Sequence, residues 1–160
     1  MANARAYGSI TIVDIGDLGT LSVYPESNQP QYVIYDPNNE TINGDGSVNN
    51  NECYNPNWSN NNLILTPTIY YGGAQLKPYE TNASRPNSLK ITWTRQFGTN
   101  DPVALNSAQE IVDNNNLTLT VKGNVLSTTN NTVAYICEVE YVEPQTGKAL
   151  KAKGRISFGL

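Results

Sequence analysis

Two carboxylates separated by one residue, Glu138 and Glu140, are the first side chains whose types and spacing suggest chemistry. On a strand, positions i and i+2 lie roughly 6.5–7 Å apart on one face, within the separation used by carboxylate pairs that cleave glycosides. The alternating Lys151, Lys153 and Arg155 of the next strand-like run offer the same residues a simpler role, a cross-strand charge ladder. Asp14 and Asp17 flank Gly16; such a pair holds a cation or shapes a turn, and the turn is the ordinary case. The string Asn43-Gly-Asp45-Gly-Ser47 echoes a calcium loop but lacks the bidentate Glu. Neither is taken as a metal site. The chain has no His, which excludes a Ser-His-Asp triad, His-ligated zinc and an imidazole proton shuttle. With no acid, base or nucleophile constellation in view, the expectation is a protein that is not an enzyme and needs no cofactor or metal.

The two cysteines, Cys53 and Cys137, lie 84 positions apart. Cys137 falls within an apolar run and Cys53 in a polar one. A sulfur in the middle of a buried strand is hard to reach from a solvated loop, so two free thiols are expected, as in a reducing cytoplasm.

These residues sit in a chain of 160 residues, 17.5 kDa, with 38% hydrophobic and 15% charged residues. Both fractions are below the usual ~45–50% and ~25%. Uncharged polar residues fill the difference, with 23 Asn and 15 Thr. A net charge of −4 and a pI near 4.7 argue against a nucleic-acid footprint. No run approaches the ~20 apolar residues of a membrane span, and Met1–Gly8 lacks the apolar centre of a signal peptide. Five Asn-X-Ser/Thr sequons occur, as chance allows in so Asn-rich a chain.

The elements that position these side chains follow a period of two. Ser9 to Ile15, Thr20 to Tyr24 and Gln31 to Tyr35 read as strands, the last two closed by Pro25 and Asp36-Pro37. Asn38 to Asn62 reads as one long loop outside the core. Leu63 to Tyr71 is a strand that bulges or lies at an edge at Pro67. Leu89 to Phe97 places Leu89, Ile91 and Trp93 on one face. Leu117 to Lys122, Val133 to Tyr141 and Ala149 to Phe158 alternate in the same way, and Val142 to Lys148 makes a hairpin loop between the last two. Asn106 to Asp113 alone suggests a helical turn, capped by Asn106 or Ser107. The class is all-β, two packed sheets or a barrel. Residues 1–62 would form an arm with extra strands and an Asn-rich loop, and 63–160 the sandwich.

Trp93 on one strand and Tyr135-Ile136-Cys137 on the penultimate strand, within a span close to about 100 residues, resemble an immunoglobulin-like sandwich. The resemblance implies that Trp93, Tyr135 and Cys137 form the core. It also implies a tyrosine corner, in which the Tyr135 phenol bonds a nearby backbone group. The first Cys of that pattern is absent from Leu63 to Tyr70, so Cys137 packs against Trp93 as a small hydrophobe. A narrower resemblance rests on order: SITIVDI at 9–15, SNQP at 27–30 and YDP at 35–37, YNPNW at 54–58, NLILTP at 62–67, and YIC at 135–137. This arrangement is similar to immunoglobulin-like modules in structural proteins of tailed phages and prophages, against which Thr41–Glu52 looks like an insertion. The family implies a virion component, of head-fibre, decoration or tail type, assembled in the bacterial cytoplasm with other virion proteins and sister subunits.

Two features remain as candidate contact surfaces. Ten Tyr stand against two Phe and two Trp, and Tyr24, Tyr32, Tyr35, Tyr54, Trp58 and Tyr71 either cover the open end of the sandwich or face a partner. The run containing Ile10, Ile12, Val13 and Ile15 would serve as an assembly arm that adds a strand to a sheet edge. A host-surface carbohydrate module is the alternative, with Trp58, Tyr54 or Tyr79 as sugar platforms.

Overall fold

The computed structural model describes residues 19–76, 89–114 and 117–160. Its strands in chain order are β1 (Leu21–Ser27), β2 (Ile34–Tyr35), β3 (Thr41–Ile42), β4 (Val48–Asn49), β5 (Tyr54–Asn55), β6 (Leu63–Tyr71), β7 (Ala74–Leu76), β8 (Leu89–Phe97), β9 (Glu110–Val112), β10 (Leu119–Val121), β11 (Thr132–Val142) and β12 (Ala149–Gly159). The described chain is all-β, and its named strands pair antiparallel. One sheet runs β1-β6-β10-β9, with β7 also on β6; the other runs β12-β11-β8. Two short ladders, β2-β5 and β3-β4, stand apart from both.

The period-two pattern explains the layering. Val23, Leu65, Ile69, Leu119 and Val121 from the first sheet meet Trp93, Tyr135, Cys137, Val139, Ile156 and Phe158 from the second in one buried cluster. Opposite faces carry Thr, Lys, Glu and Tyr. Leu63–Tyr71 and Leu89–Phe97 begin and end where the sequence pattern places them. Pro67 lies in the gap on β6 between the β10 and β7 pairings, so its missing N–H falls where the strand is locally an edge.

The first third departs most from expectation. Pro25 does not end β1; it sits opposite Pro67 as a pair whose missing N–H groups point away from each other, so neither costs the β1-β6 ladder a hydrogen bond. The expected strand at Gln31 to Tyr35 shrinks to two residues. Before them the chain crosses to the other sheet, where Val33 N donates to Gly159 O at 2.8 Å and Gly159 N donates to Gln31 O at 3.0 Å. Tyr32 and Gly159 form a parallel bridge. Because β1 pairs with β6, the first sheet draws on residues both before and after position 62.

One row of side chains sets how closely the sheets approach. Trp93, Cys137 and Gly154 are register neighbours across β8, β11 and β12. The row tapers from indole to thiol to hydrogen, and β1 fills the space: a Cβ on Gly154 would lie 2.5 Å from Val23 O and 2.6 Å from Pro25 Cδ. Cys137 thus packs beside Trp93 as expected. Trp93 Nε1 donates to Leu117 O at 2.9 Å, holding a Leu whose φ of 57° is left-handed. That conformation costs a non-Gly residue about 1 kcal/mol or more.

Two expectations fail for physical reasons. The Tyr135 phenol donates not to backbone but to Glu110 Oε1, at 2.8 Å. The helical turn is confined to Ser107–Gln109, with Asn106 Oδ1 accepting from Ala108 N; the chain then enters β9, so that Glu110 points into the core. The Glu110 carboxylate also accepts from Arg95 Nη1 at 3.1 Å and from Asn106 N. It is 2% exposed, and three donors offset its burial. Desolvation, then the Glu110 charge, pushes the Tyr135 phenol far above its ordinary value.

Candidate interaction surface

The polar stretch from Asn38 to Asn62 is not wholly outside the core. Cys53, Tyr54 and Trp58 are buried. Trp58 stands edge-on to Phe158 with centroids 5.3 Å apart, and Tyr54 Oη donates to Leu126 O at 2.8 Å. Neither ring has a face free for a sugar, which corrects their assignment as contact aromatics. Trp58 thus covers Phe158 of the second sheet, and Tyr54 closes on the β10-β11 connection at Leu126. Tyr35 packs on Tyr54 at 5.0 Å and Tyr71 on Tyr141 at 5.2 Å, both half-buried.

The other two candidates point outward. Tyr24 is 59% exposed, edge-on to Tyr70 on the outer face of the first sheet. Tyr32 is 67% exposed because the buried Val33 turns both of its neighbours to solvent. Ile10, Ile12, Val13 and Ile15 of the assembly arm, together with Asp14, Asp17 and Tyr79, lie outside the described residues.

Around these two the structure adds side chains that sequence reasoning missed. Ile34 is exposed, and Ile42 and Val48 are register partners on β3 and β4. Every residue from 37 to 48 is exposed. This hairpin holds its own turn: Asp45 Oδ1 accepts from Ser47 N and Ser47 Oγ, and Gly46 N donates to Asn43 O. The Ser47 hydroxyl is the main reason the Asp45 carboxyl titrates below its usual range. The calcium-like string is therefore a hairpin turn, and no group of metal-binding side chains occurs among the described residues. A strict period of two through Gln31 to Tyr35 could have found Tyr32 and Ile34; in Thr41 to Asn49 the signal was the Asn43-Gly44 and Asp45-Gly46 pairs between the β-branched Ile42 and Val48.

Charge divides the molecule. Residues 19–76 contain no Lys or Arg and five carboxylates, Glu26, Asp36, Glu40, Asp45 and Glu52. The outer face of β12-β11-β8 carries the opposite excess. Its rows are Lys151-Glu140-Lys90, Lys153-Glu138-Thr92 and Arg155-Ile136-Thr94. Lys151 Nζ lies 3.2 Å from Glu140 and Lys153 Nζ 3.0 Å from Glu138. The hydrogen bond from Lys153 chiefly lowers the Glu138 pKa. Both carboxylates therefore belong to the expected ladder. Cys53 and Cys137 are free and buried; burial raises both thiols, Cys137 to about 12.

A cleft of about 210 Å³ opens at one sandwich end, between Phe97–Asn100 and Thr129–Thr132. Its lining is uncharged. Comparison with family models, curated proteins and solved structures gives no match.

Proposed function

We propose that this chain is a non-enzymatic structural component of a tailed-phage virion, of head-fibre, decoration or tail-associated type. In this reading it is an immunoglobulin-like sandwich that docks through its N-terminal region and displays a polar surface. The strand orders support the fold reading. β1-β6-β10-β9 follows the A-B-E-D order and β12-β11-β8 the G-F-C order of constant-type domains, with Trp93 on the C-equivalent strand and Tyr135 on the F-equivalent strand. One observation carries the docking: of the eight exposed large hydrophobics among the described residues, five, Tyr24, Tyr32, Ile34, Ile42 and Val48, fall between residues 24 and 48. Concentrated exposed apolar groups mark contact sites.

The test is co-assembly. Particles produced with the chain are expected to carry it through density-gradient purification. A Tyr32→Ser/Ile34→Ser variant, folded by circular dichroism, should be depleted from them. Particles that exclude the wild-type chain would sink the reading.

A second reading, a carbohydrate-binding module, is favoured by the uncharged cleft. Thr99, Asn100, Thr129, Asn130 and Asn131 there make no side-chain hydrogen bond among the described residues. Binding of neutral oligosaccharides lost in Asn100→Ala/Asn131→Ala would support it.

A further inference from the structure

The β3-β4 hairpin, exposed except for the half-buried Asn49, carries Asp45 in its turn and is flanked in the chain by Asp36, Glu40 and Glu52, whose charges act together on Cys53 at its base; its stem presents the apolar pair Ile42 and Val48. An apolar centre with a charged rim is the anatomy of a protein interface. The rim carries one sign only, so its partner must be basic.

The same chain has such a surface. On the outer face of β12-β11-β8, Lys151 and Lys153 are matched by Glu140 and Glu138, whereas Lys90 and Arg155 are exposed and have no carboxylate partner among the described residues. Ile136 stands between Arg155 and Thr94 and gives this face an apolar centre of its own. The outer face of the first sheet is the weaker rival: Tyr24, Glu26, Ile64, Thr66, Thr68, Tyr70, Thr120 and Ile111 carry no cation, and the one exposed lysine in phase with them, Lys122 just past β10, is offset by Glu26 on the same face.

We infer that the β3-β4 hairpin of one copy docks on the outer face of β12-β11-β8 of a second copy. The two patches are different, so the contact is heterologous. Each copy then has one hairpin and one receiving face, and assembly proceeds head to tail into a ring or a filament. The inference rests on the reading of the chain as an assembling protein and names the contact between sister subunits.

Sedimentation of the purified chain tests it. Wild type is expected to associate with rising concentration in about 0.1 M salt and to dissociate in about 1 M salt, where charges are screened beyond roughly 3 Å. Two folded variants reverse one side each. Asn39→Lys/Glu40→Lys/Gly44→Lys/Val48→Lys sets four lysines against the three remaining carboxylates and gives a basic hairpin, and Lys90→Glu/Arg155→Glu gives an acidic face; neither set breaks a described side-chain hydrogen bond or ion pair. Each alone should associate at least about tenfold more weakly, since like charges then meet. Mixed together they should assemble again, because every hairpin finds a face of opposite sign. Misfolding cannot produce that rescue. A wild-type chain that stays monomeric, a variant that associates like wild type, or a mixture that stays dissociated overturns the inference. Incorporation of a monomeric chain into particles would leave the proposed function standing while removing this contact.

Discussion

Glu110 is the residue on which the polar part of the core turns. It joins β9 to β8 through Arg95 and to β11 through Tyr135, tying the two sheets by charge-assisted hydrogen bonds. Tyr135→Phe is expected to cost about 1–3 kcal/mol, because it withdraws one donor from a buried carboxylate. Glu110→Gln should cost more, about 3–5 kcal/mol, because Arg95 is left without its partner. Urea unfolding of the two variants measures both. Equal losses would argue against the ion pair as the dominant element. The thiols give a second check: Cys53 and Cys137 should resist a thiol reagent in native buffer and react fully in denaturant. At this scale Trp93, Tyr135 and Cys137 were legible, since each is an apolar position in an alternating run. Glu110 was not. Asn106 and Ser107 are strong turn signals, and they hid the strand that begins immediately after the turn.

Strands with long alternation were read to within a residue or two, because period two fixes both face and extent. Short elements were not. β2 and β5 hold two residues each and exist because Val33 and Trp58 are buried beside them. Gly154 tests the close approach of β1 to β12. Gly154→Ala puts a methyl against the Val23 carbonyl and should destabilise by about 1–3 kcal/mol, read from the denaturation midpoint. An unchanged midpoint would mean that β1 shifts freely. The hairpin between β11 and β12 adds a pH dependence. The Glu143 carboxylate accepts from the Thr146 hydroxyl at 2.7 Å and from the Thr146 and Gln145 amides, and these bonds, the hydroxyl foremost, lower its pKa. A carboxyl held lower in the folded state adds stability above its unfolded pKa, and that stability is lost as pH falls through the folded value. Glu143→Gln should therefore lower the neutral-pH melting temperature and flatten the acid limb of its pH profile. An acid limb identical to wild type would reject this.

Across the whole molecule, residues 19–62 are structural participants as well as a candidate docking region. They contribute Val23, Val33, Cys53, Tyr54 and Trp58 to the core. A chain beginning at residue 63 is expected to lose cooperative thermal unfolding; a sharp transition near the wild-type temperature would show the remainder to be self-sufficient. The sequence suggested separate arm and sandwich units because Asn38 to Asn62 is polar in composition, and composition hides three buried side chains among many exposed ones. The charge division was equally present in the sequence, in the absence of basic residues from 19 to 76. Its meaning required the strand register that gathers Lys90, Lys151, Lys153 and Arg155 on one face.

The β3-β4 hairpin has a consequence of another kind. Its stem contributes no buried side chain and its turn is closed by its own polar groups. Its opening is therefore uncoupled from global unfolding. Amide hydrogens there should exchange with solvent deuterium at a free energy near zero, while those of β6 and β11 wait for the whole molecule to open. A segment so isolated can be exchanged for another sequence at little cost to the sandwich, which leaves its composition free to follow whatever it touches.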